Sequence, residues 1–385
     1  MDIFLGGDMD IGDLREKLKG VTDPRRPWGN LRHKLEDILV IGLAALVCNG
    51  SDFEDMEAFG AYREAELRKF LELPNGIPDE STFFRVFKRI QPEQLGKCLY
   101  EWLAGARETE GRAVNIDGKT IRGSGGGGGN PVHVVSAWAG EEEIVLGQLA
   151  VDEKSNEIRA IPRLLELLDV RGSVITIDAM GCQTEIAGKV REKQADYLLA
   201  VKDNQPGLHG EIREYFEGLE GGEIRDLPDD LWVTGSEKGH GRIERREIRV
   251  VSELGWLSDR GRWKDLKTII QYRGYRTVRG ETVKRDRYYI SSAEMNADEM
   301  CRRLRGHWSI ENKLHWSLDV VFGEDRARVS RGHGPENLNI LRKTALSLLR
   351  AAPLPEKHIT RMSGPKRRFA ASLCADYMFT VPFGK

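Results

Sequence analysis

AVNIDGKTIRGS, residues 113–124, read together with VITIDAMGCQ, residues 174–183, decides the fold. Each stretch opens on apolar and β-branched residues and then reaches an aspartate, Asp117 or Asp178. Such runs read as buried strands, and the aspartate marks where the chain leaves the sheet. Between them, VHVVSAW (132–138) and EIVLGQLAV (143–151) read as two further strands. The tract Gly125–Gly129 joins the first strand to the second. It lacks the GxxxxGK[ST] spacing and precedes a strand, so it reads as a flexible hairpin loop and not as a phosphate cradle. A helix over Glu157–Leu168 follows, with Ile158, Ile161, Leu164, Leu165 and Leu168 as its apolar stripe. After VITI come a helix from Thr184 and the strand DYLLAV, Asp196–Val201.

Three antiparallel strands followed by helix, strand, helix and strand is the order of an RNase H-like mixed α/β sheet with flanking helices. Working outward, residues 1–105 read as a helical domain. Leu31, Leu35, Ile38, Leu39, Gly42 and Leu46 recur at helical spacing, and Pro74, Gly76 and Pro78 mark a break. PDESTFFRVFKRI then starts a helix with Asp79 or Ser81 as N-cap. Arg85, Lys88 and Arg89 fall largely off its phenylalanine side, as a groove-entering helix or a surface helix would have them. The core runs over 106–204 and resumes at 291–350, with helices near Asn296–Leu318 and Pro335–Leu349. Residues 205–290, rich in Gly, Arg and short β-like runs, read as a β-rich insertion. Residues 351–385, with Lys366, Arg367 and Arg368, read as a basic tail.

The chain has 385 residues, 40% of them hydrophobic, enough for two or three domains. Its longest apolar run, Ile38–Cys48, is too short to span a bilayer. The acidic start MDIFLGGDMD has no export signature, so a cytoplasmic location without a membrane partner is expected. Five scattered cysteines without a CxxC spacing (Cys48, Cys98, Cys182, Cys301 and Cys374) suit reduced thiols and exclude a cysteine-based zinc module. The net charge of −2 hides a strong asymmetry. Residues 141–230 hold 10 Lys+Arg against 21 Asp+Glu, residues 231–290 hold 15 against 8, and residues 291–385 hold 16 against 10. Such a distribution suits an anionic partner on the C-terminal half, or an ordinary solvated surface.

Asp117 and Asp178 are costly side by side unless a cation neutralises them, and hard oxygen ligands suit Mg²⁺ or Mn²⁺. Taken singly, either could be only a turn residue or helix cap. Gly118 and Gly181 would allow close backbone approach. A third carboxylate is available in HWSIENKLHWSLDVVFGEDRAR, residues 307–328. On a continuous helix, His307, Glu311 and His315 share a face, with Glu311 as the third ligand; Asp319, Glu324 and Asp325 are alternatives. A zinc site built on the two histidines and a purely structural cluster are the competing readings. Lys119 and Arg122, Lys202 with Asn204 and Gln205, and the GHGRIERREIR stretch with His240, Arg242, Arg245, Arg246 and Arg249 are candidate phosphate contacts, with surface salt bridging as the alternative.

Taken in order, NIDGKTIRGS, SNEIRAIPRLLELLD, TIDAMGCQ, DYLLAVKDNQ, EKGHGRIERREIRV and HWSIENKLHWSLDVVFGEDRAR resemble the H-repeat-associated group of bacterial DDE insertion-sequence transposases. DPRRPWGNLRHKLEDILVIGLAALVCN and PDESTFFRVF resemble that group's helical leader, so the likeness runs from about Asp23 to Arg350. The resemblance implies an RNase H-like domain whose triad, Asp117, Asp178 and Glu311, binds two Mg²⁺ ions, with Mn²⁺ able to substitute. It implies cleavage at element ends and strand transfer into target DNA by a homodimer on DNA, in the cytoplasm at the nucleoid. A two-metal nuclease that does not join, and a decayed protein that only binds DNA, are the rival functions. The chain departs from the family where related transposases place Tyr, Arg and Lys around the last acid: the matching positions are Leu304, His307 and Leu318. His307 could replace the arginine as a phosphate donor, with Arg303, Arg305 and Lys313 nearby.

Overall fold

The computed structural model describes residues 11–26, 31–105, 111–126, 129–151, 156–224, 230–233, 236–239, 241–354 and 362–383. Six helices come first: α1 (Ile11–Leu18), α2 (Leu35–Val47), α3 (Phe53–Tyr62), α4 (Glu64–Leu67), α5 (Glu80–Phe87) and α6 (Pro92–Gly105). Strands β1 (Ala113–Thr120), β2 (His133–Ala139) and β3 (Ile144–Val151) follow. Next come α7 (Glu157–Leu167), β4 (Val174–Ile177), α8 (Thr184–Glu192), β5 (Asp196–Val201) and α9 (Pro206–Gly221). A β-rich run holds β6 (Asp230–Val233), β7 (Glu237–Gly239), β8 (Arg242–Val251), β9 (Thr268–Val278) and β10 (Glu281–Ser291). The chain then returns to helix in α10 (Ala297–Ser309), α11 (Trp316–Val320), α12 (Gly334–Ala351), α13 (Gly364–Leu373) and α14 (Ala375–Phe383).

The chain forms two compact units. The first comprises Met1–Thr109, Gly118–Asn156 and Glu311–Lys385. At its centre, α12 is buried over nearly its whole length and packs on α2, α6 and β3. The expected single stripe on α2 gives way to burial on all sides, with Glu36 alone reaching solvent, because neighbours surround it. Asp79 caps α5 by accepting the Thr82 N–H, as its position predicts. Strands β2 and β3 pair antiparallel from His133↔Val151 to Ala139↔Ile144. Of the glycine tract that precedes β2, residues 127 and 128 lie outside the described residues. Where composition suggests a basic tail, residues 364–383 form two helices. The physical reason is Arg368: its guanidinium is buried and donates to the carbonyls of Leu46 (3.0 Å), Gly50 (2.6 Å) and Val321 (2.5 Å). Carbonyls at the C-terminal end of α2 would otherwise be without donors.

The second unit comprises Glu110–Asp117 and Glu157–Ile310. The start of β1, then β4 and β5, run parallel, as two strands each reached through a helix must. β10 joins β5 antiparallel, and β9, β8 and β6 continue the sheet, with β7 also on β8. Strands β8 to β10 form a long meander, which makes the insertion β-rich as its composition predicts. It opens, however, on the helix α9, whose Leu208, Ile212, Tyr215 and Phe216 make a buried stripe at 3.6 periodicity. Ala297, Met300, Cys301 and Leu304 line one face of α10 and pack on Val174, Leu198, Ile248 and Ile270 of the sheet. Each such large side chain contributes about 1.5–3 kcal/mol by burial, which pins α10 across the strands. Among the described residues no helix is long and apolar enough to cross a membrane.

Candidate active site

Strands β1 and β4 pair in register from Ala113↔Val174 to Ile116↔Ile177. Asp117 and Asp178 are the next residues on each strand, so they occupy neighbouring positions where the parallel pair ends. Asp117 is half-buried and Asp178 exposed. The Asp178 carboxylate accepts the N–H groups of Met180 (3.0 Å) and Gly181 (3.4 Å), holding the turn that follows β4. Gly181 serves packing: a Cβ there would collide with the Ile177 side chain.

Two residues back along both strands lies a buried polar pair. Thr176 donates its hydroxyl proton to Asn115 Oδ1 (2.7 Å) and meets His307 Nδ1 of α10 at 2.9 Å. Asn115 Nδ2 lies 3.4 Å from Ser309 Oγ. Burial holds the His307 imidazole below its ordinary value, against the pull of the Asp178 carboxylate.

After α10 the chain winds as a π-helix over Ile310–His315 before α11 begins. Its i→i+5 bonding makes this turn wider than that of a regular helix. Glu311 is exposed within this stretch and counts with the first unit. His315 is buried there, and that burial, reinforced by Lys343, Lys119 and His133, pushes it down to about 3. Among the described residues no three His, Cys, Asp or Glu side chains are grouped as a metal set, and this holds for the His307, Glu311 and His315 set and for Asp117, Asp178 and Glu311 alike. The oxygen donors of Asp117 and Asp178 suit a hard divalent cation.

Asp319, Glu324 and Asp325 are drawn together, but around an ammonium group. Lys119 Nζ lies 2.7 Å from Asp319, 3.2 Å from Glu324 and 3.4 Å from Asp325. Glu324 is fully buried and also accepts from Asn339 (2.8 Å), with Arg342 at 3.6 Å. Burial alone would depress the Lys119 ammonium; the three carboxylates outweigh it and raise its pKa. Lys119 is therefore turned inward, where the sequence suggested a phosphate contact. Exposed Arg122 reaches Asp325 through its backbone N–H (3.2 Å) and guanidinium (3.7 Å).

Lys202 is exposed just beyond β5. Asn204 donates to the Ala179 carbonyl (2.6 Å) and Gln205 to that of Cys182 (2.9 Å), so both brace the Asp178 turn. Arg242 pairs with Glu244 (2.6 Å), Arg245 with Glu247 (2.7 Å), and Lys313 with Glu143 (2.6 Å). Arg246 is buried against Glu237 (2.7 Å), and Arg249 pairs with Glu220 (2.8 Å). His240 lies outside the described residues.

A feature not singled out from sequence is a concave recess of about 680 Å³ on the meander, lined by arginines 242, 245, 276, 279, 285 and 287 with Tyr272, Tyr275 and Trp308. Arg287 stacks over Trp308 at 4.9 Å and Arg245 over Tyr275 at 5.4 Å. The run RGYRTVRGETVKRDR, with Arg276, Arg279, Arg285 and Arg287, carried that signal.

A family model described as the transposase DDE domain matches residues 108–348, and one for a segment associated with that domain matches residues 15–103. YncI of Escherichia coli O157:H7, which carries a transposase name, is 40% identical over 350 residues, 89% of this chain and 88% of that protein. YhhI of Escherichia coli strain K12, whose name associates it with the H repeat, is 37% identical over 349 residues, 89% of this chain and 91% of that protein. Among solved structures, the piggyBac transposase synaptic complex with hairpin DNA aligns at a TM-score of 0.41 and 10% identity, over 96% of this chain and 77% of that chain.

Proposed function

This chain belongs to the transposases with a DDE domain, and from that premise we propose that it cuts DNA at insertion-sequence ends and joins the freed 3′ ends to target DNA. The observation that carries the reading is the pair Asp117 and Asp178, each the residue after the last paired position of two adjacent parallel strands. Glu311 is proposed as the third acid by its place in the family motif.

Two bound Mg²⁺ ions, or Mn²⁺ in their place, would supply Lewis acidity to the attacking and leaving oxygens. Asp117, Asp178 and Glu311 would hold them. The chain's own part is positioning and charge. Water or a 3′-hydroxyl attacks phosphorus, the opposite oxygen leaves as the new 3′-hydroxyl or alcohol, and no side chain becomes covalently bound. The arginine recess of the meander offers donors to backbone phosphates, and its aromatic rings support the guanidinium groups. The helical residues 1–105 and the insertion over 205–290 are the regions proposed to grip DNA. Paired ends call for a homodimer on DNA, acting at the nucleoid.

Asp117→Asn, Asp178→Asn and Glu311→Gln, each assayed for cleavage and joining of end-containing DNA with Mg²⁺, test this directly. Loss of cleavage by about 10³-fold or more is expected for each, the scale of losing an essential charge stabiliser. Near wild-type cleavage in any one removes that residue from the triad, and cleaved ends without joined products make the protein a nuclease.

A further inference from the structure

We propose that Asn115, Thr176 and His307 form a hydrogen-bonded brace that sets the spacing of Asp117 and Asp178 for a shared divalent cation; it rests on the carboxylate pair proposed above. Asn115 and Thr176 are register partners two residues before the aspartates. Alternation along a strand therefore puts all four on one face of the sheet. Both polar residues are buried, at 0% and 2% exposure, in the paired stretches 113–116 and 174–177, which are otherwise made of Val, Ile and Ala. Apolar side chains there would bury as well without needing partners, so the polar pair answers a demand other than stability.

The protons can be followed. The single Thr176 hydroxyl proton goes to Asn115 Oδ1, so the hydroxyl oxygen must accept from His307 Nδ1–H. Asn115 Nδ2 faces Ser309 Oγ. Two strands and α10 are thereby tied together one side-chain repeat behind the carboxylates. A slip of either strand, or a tilt of α10, leaves a buried donor without an acceptor, which apolar packing would not penalise. His307 is thus a positioning residue for the pair. Groups that orient metal-binding side chains in this way commonly change affinity by about 10–100-fold when lost.

Mn²⁺ binding to the full chain without DNA, read from the electron paramagnetic resonance of free Mn²⁺, tests the brace without relying on activity. Thr176→Val is expected to raise the Mn²⁺ Kd about 10-fold or more, and Thr176→Ser to restore it. His307→Leu should behave as Thr176→Val does. His307→Asn, whose amide N–H replaces Nδ1–H, should stay close to wild type. Should Thr176→Val fail to fold, the His307→Leu and His307→Asn pair carries the same contrast from α10. A merely structural role would lower the melting temperature of the Val and Leu variants and leave their Kd unchanged, which overturns the brace. Asp178→Asn separates the two levels. If it loses Mn²⁺ while Thr176→Val keeps it, the brace alone fails. If it binds as wild type does, or if the wild type does not bind, the carboxylate pair fails and the brace with it.

Discussion

Replacing Lys119 with methionine removes the one ammonium group shared by Asp319, Glu324 and Asp325 while keeping the length of the stem. The Lys119 side chain is only 10% exposed and Glu324 is 0% exposed, so water cannot take over the neutralisation at the core of the cluster. Removing one partner of a buried ion pair costs about 3–5 kcal/mol. Asp319 and Asp325, at 36% and 28% exposure, are partly screened, which places the expected loss at the lower end, about 3 kcal/mol. For a unit of this size that corresponds to a fall in melting temperature of about 6–12 °C at pH 7. The deficit should shrink on acidification. Burial already raises the Asp319 carboxyl above its ordinary range, and without Lys119 it rises further, so Asp319 takes up a proton first and relieves the repulsion. Thermal melts of both proteins from pH 7 to pH 5, followed by circular dichroism, read the effect. Adding Asp319→Asn to the methionine variant should recover part of the loss. A melting temperature within 2 °C of wild type, or a difference insensitive to pH, refutes the electrostatic account. A stable variant that instead binds DNA weakly would return Lys119 to the phosphate contacts.

Burial, with a smaller push from Glu93, raises Glu336 to about 7 against the pull of Lys343. With a folded value above the unfolded one, its contribution to stability is full below about 4.5 and is lost as pH rises through about 7. Glu336→Gln should therefore be more stable than wild type at pH 8, by about 3 kcal/mol, and nearly equal to it at pH 4.5; urea titrations at the two pH values decide. His315 works in the opposite direction. Its folded value of about 3 lies below the unfolded one, so stability is full above about pH 6.5 and declines as pH falls toward 3. His315→Gln should flatten that decline, and an unchanged acid limb would place its origin elsewhere. Arg368→Lys should release the C-terminal helices to limited proteolysis as readily as Arg368→Met, because the three donors of one compact ammonium nitrogen cannot span carbonyls set around three separate guanidinium nitrogens. DNA binding should weaken steeply between 50 and 200 mM salt, and Arg285→Ala should lower the logarithmic salt slope by about one. An unchanged slope would take Arg285 out of the phosphate contacts.

Local pattern made much of this molecule legible. The β-branched runs leading to Asp117 and Asp178 announced two strands, although β1 runs past Asp117 to Thr120, and the helical stripe over residues 157–168 announced the crossover between strands. Composition also announced a β-rich meander after β5, although not the α9 helix that opens it. Less was legible where a residue's meaning depends on a distant partner. Lys119 looks like a free cation beside a catalytic acid until Asp319, Glu324 and Asp325, about two hundred positions on, close around it. Arg368 looks like part of a solvated tail until three carbonyls from two other segments accept its protons. The π-helical turn at Ile310–His315 is invisible to a periodicity argument that assumes 3.6 residues per turn. Sequence by itself determined which segments must be buried and that Asp178 stands at a strand end, because side-chain alternation and backbone preference are local properties. Only the tertiary structure decided which charges face each other, because a Coulomb contact or a buried hydrogen bond depends on distance through space, and the chain order of its partners carries no record of that distance.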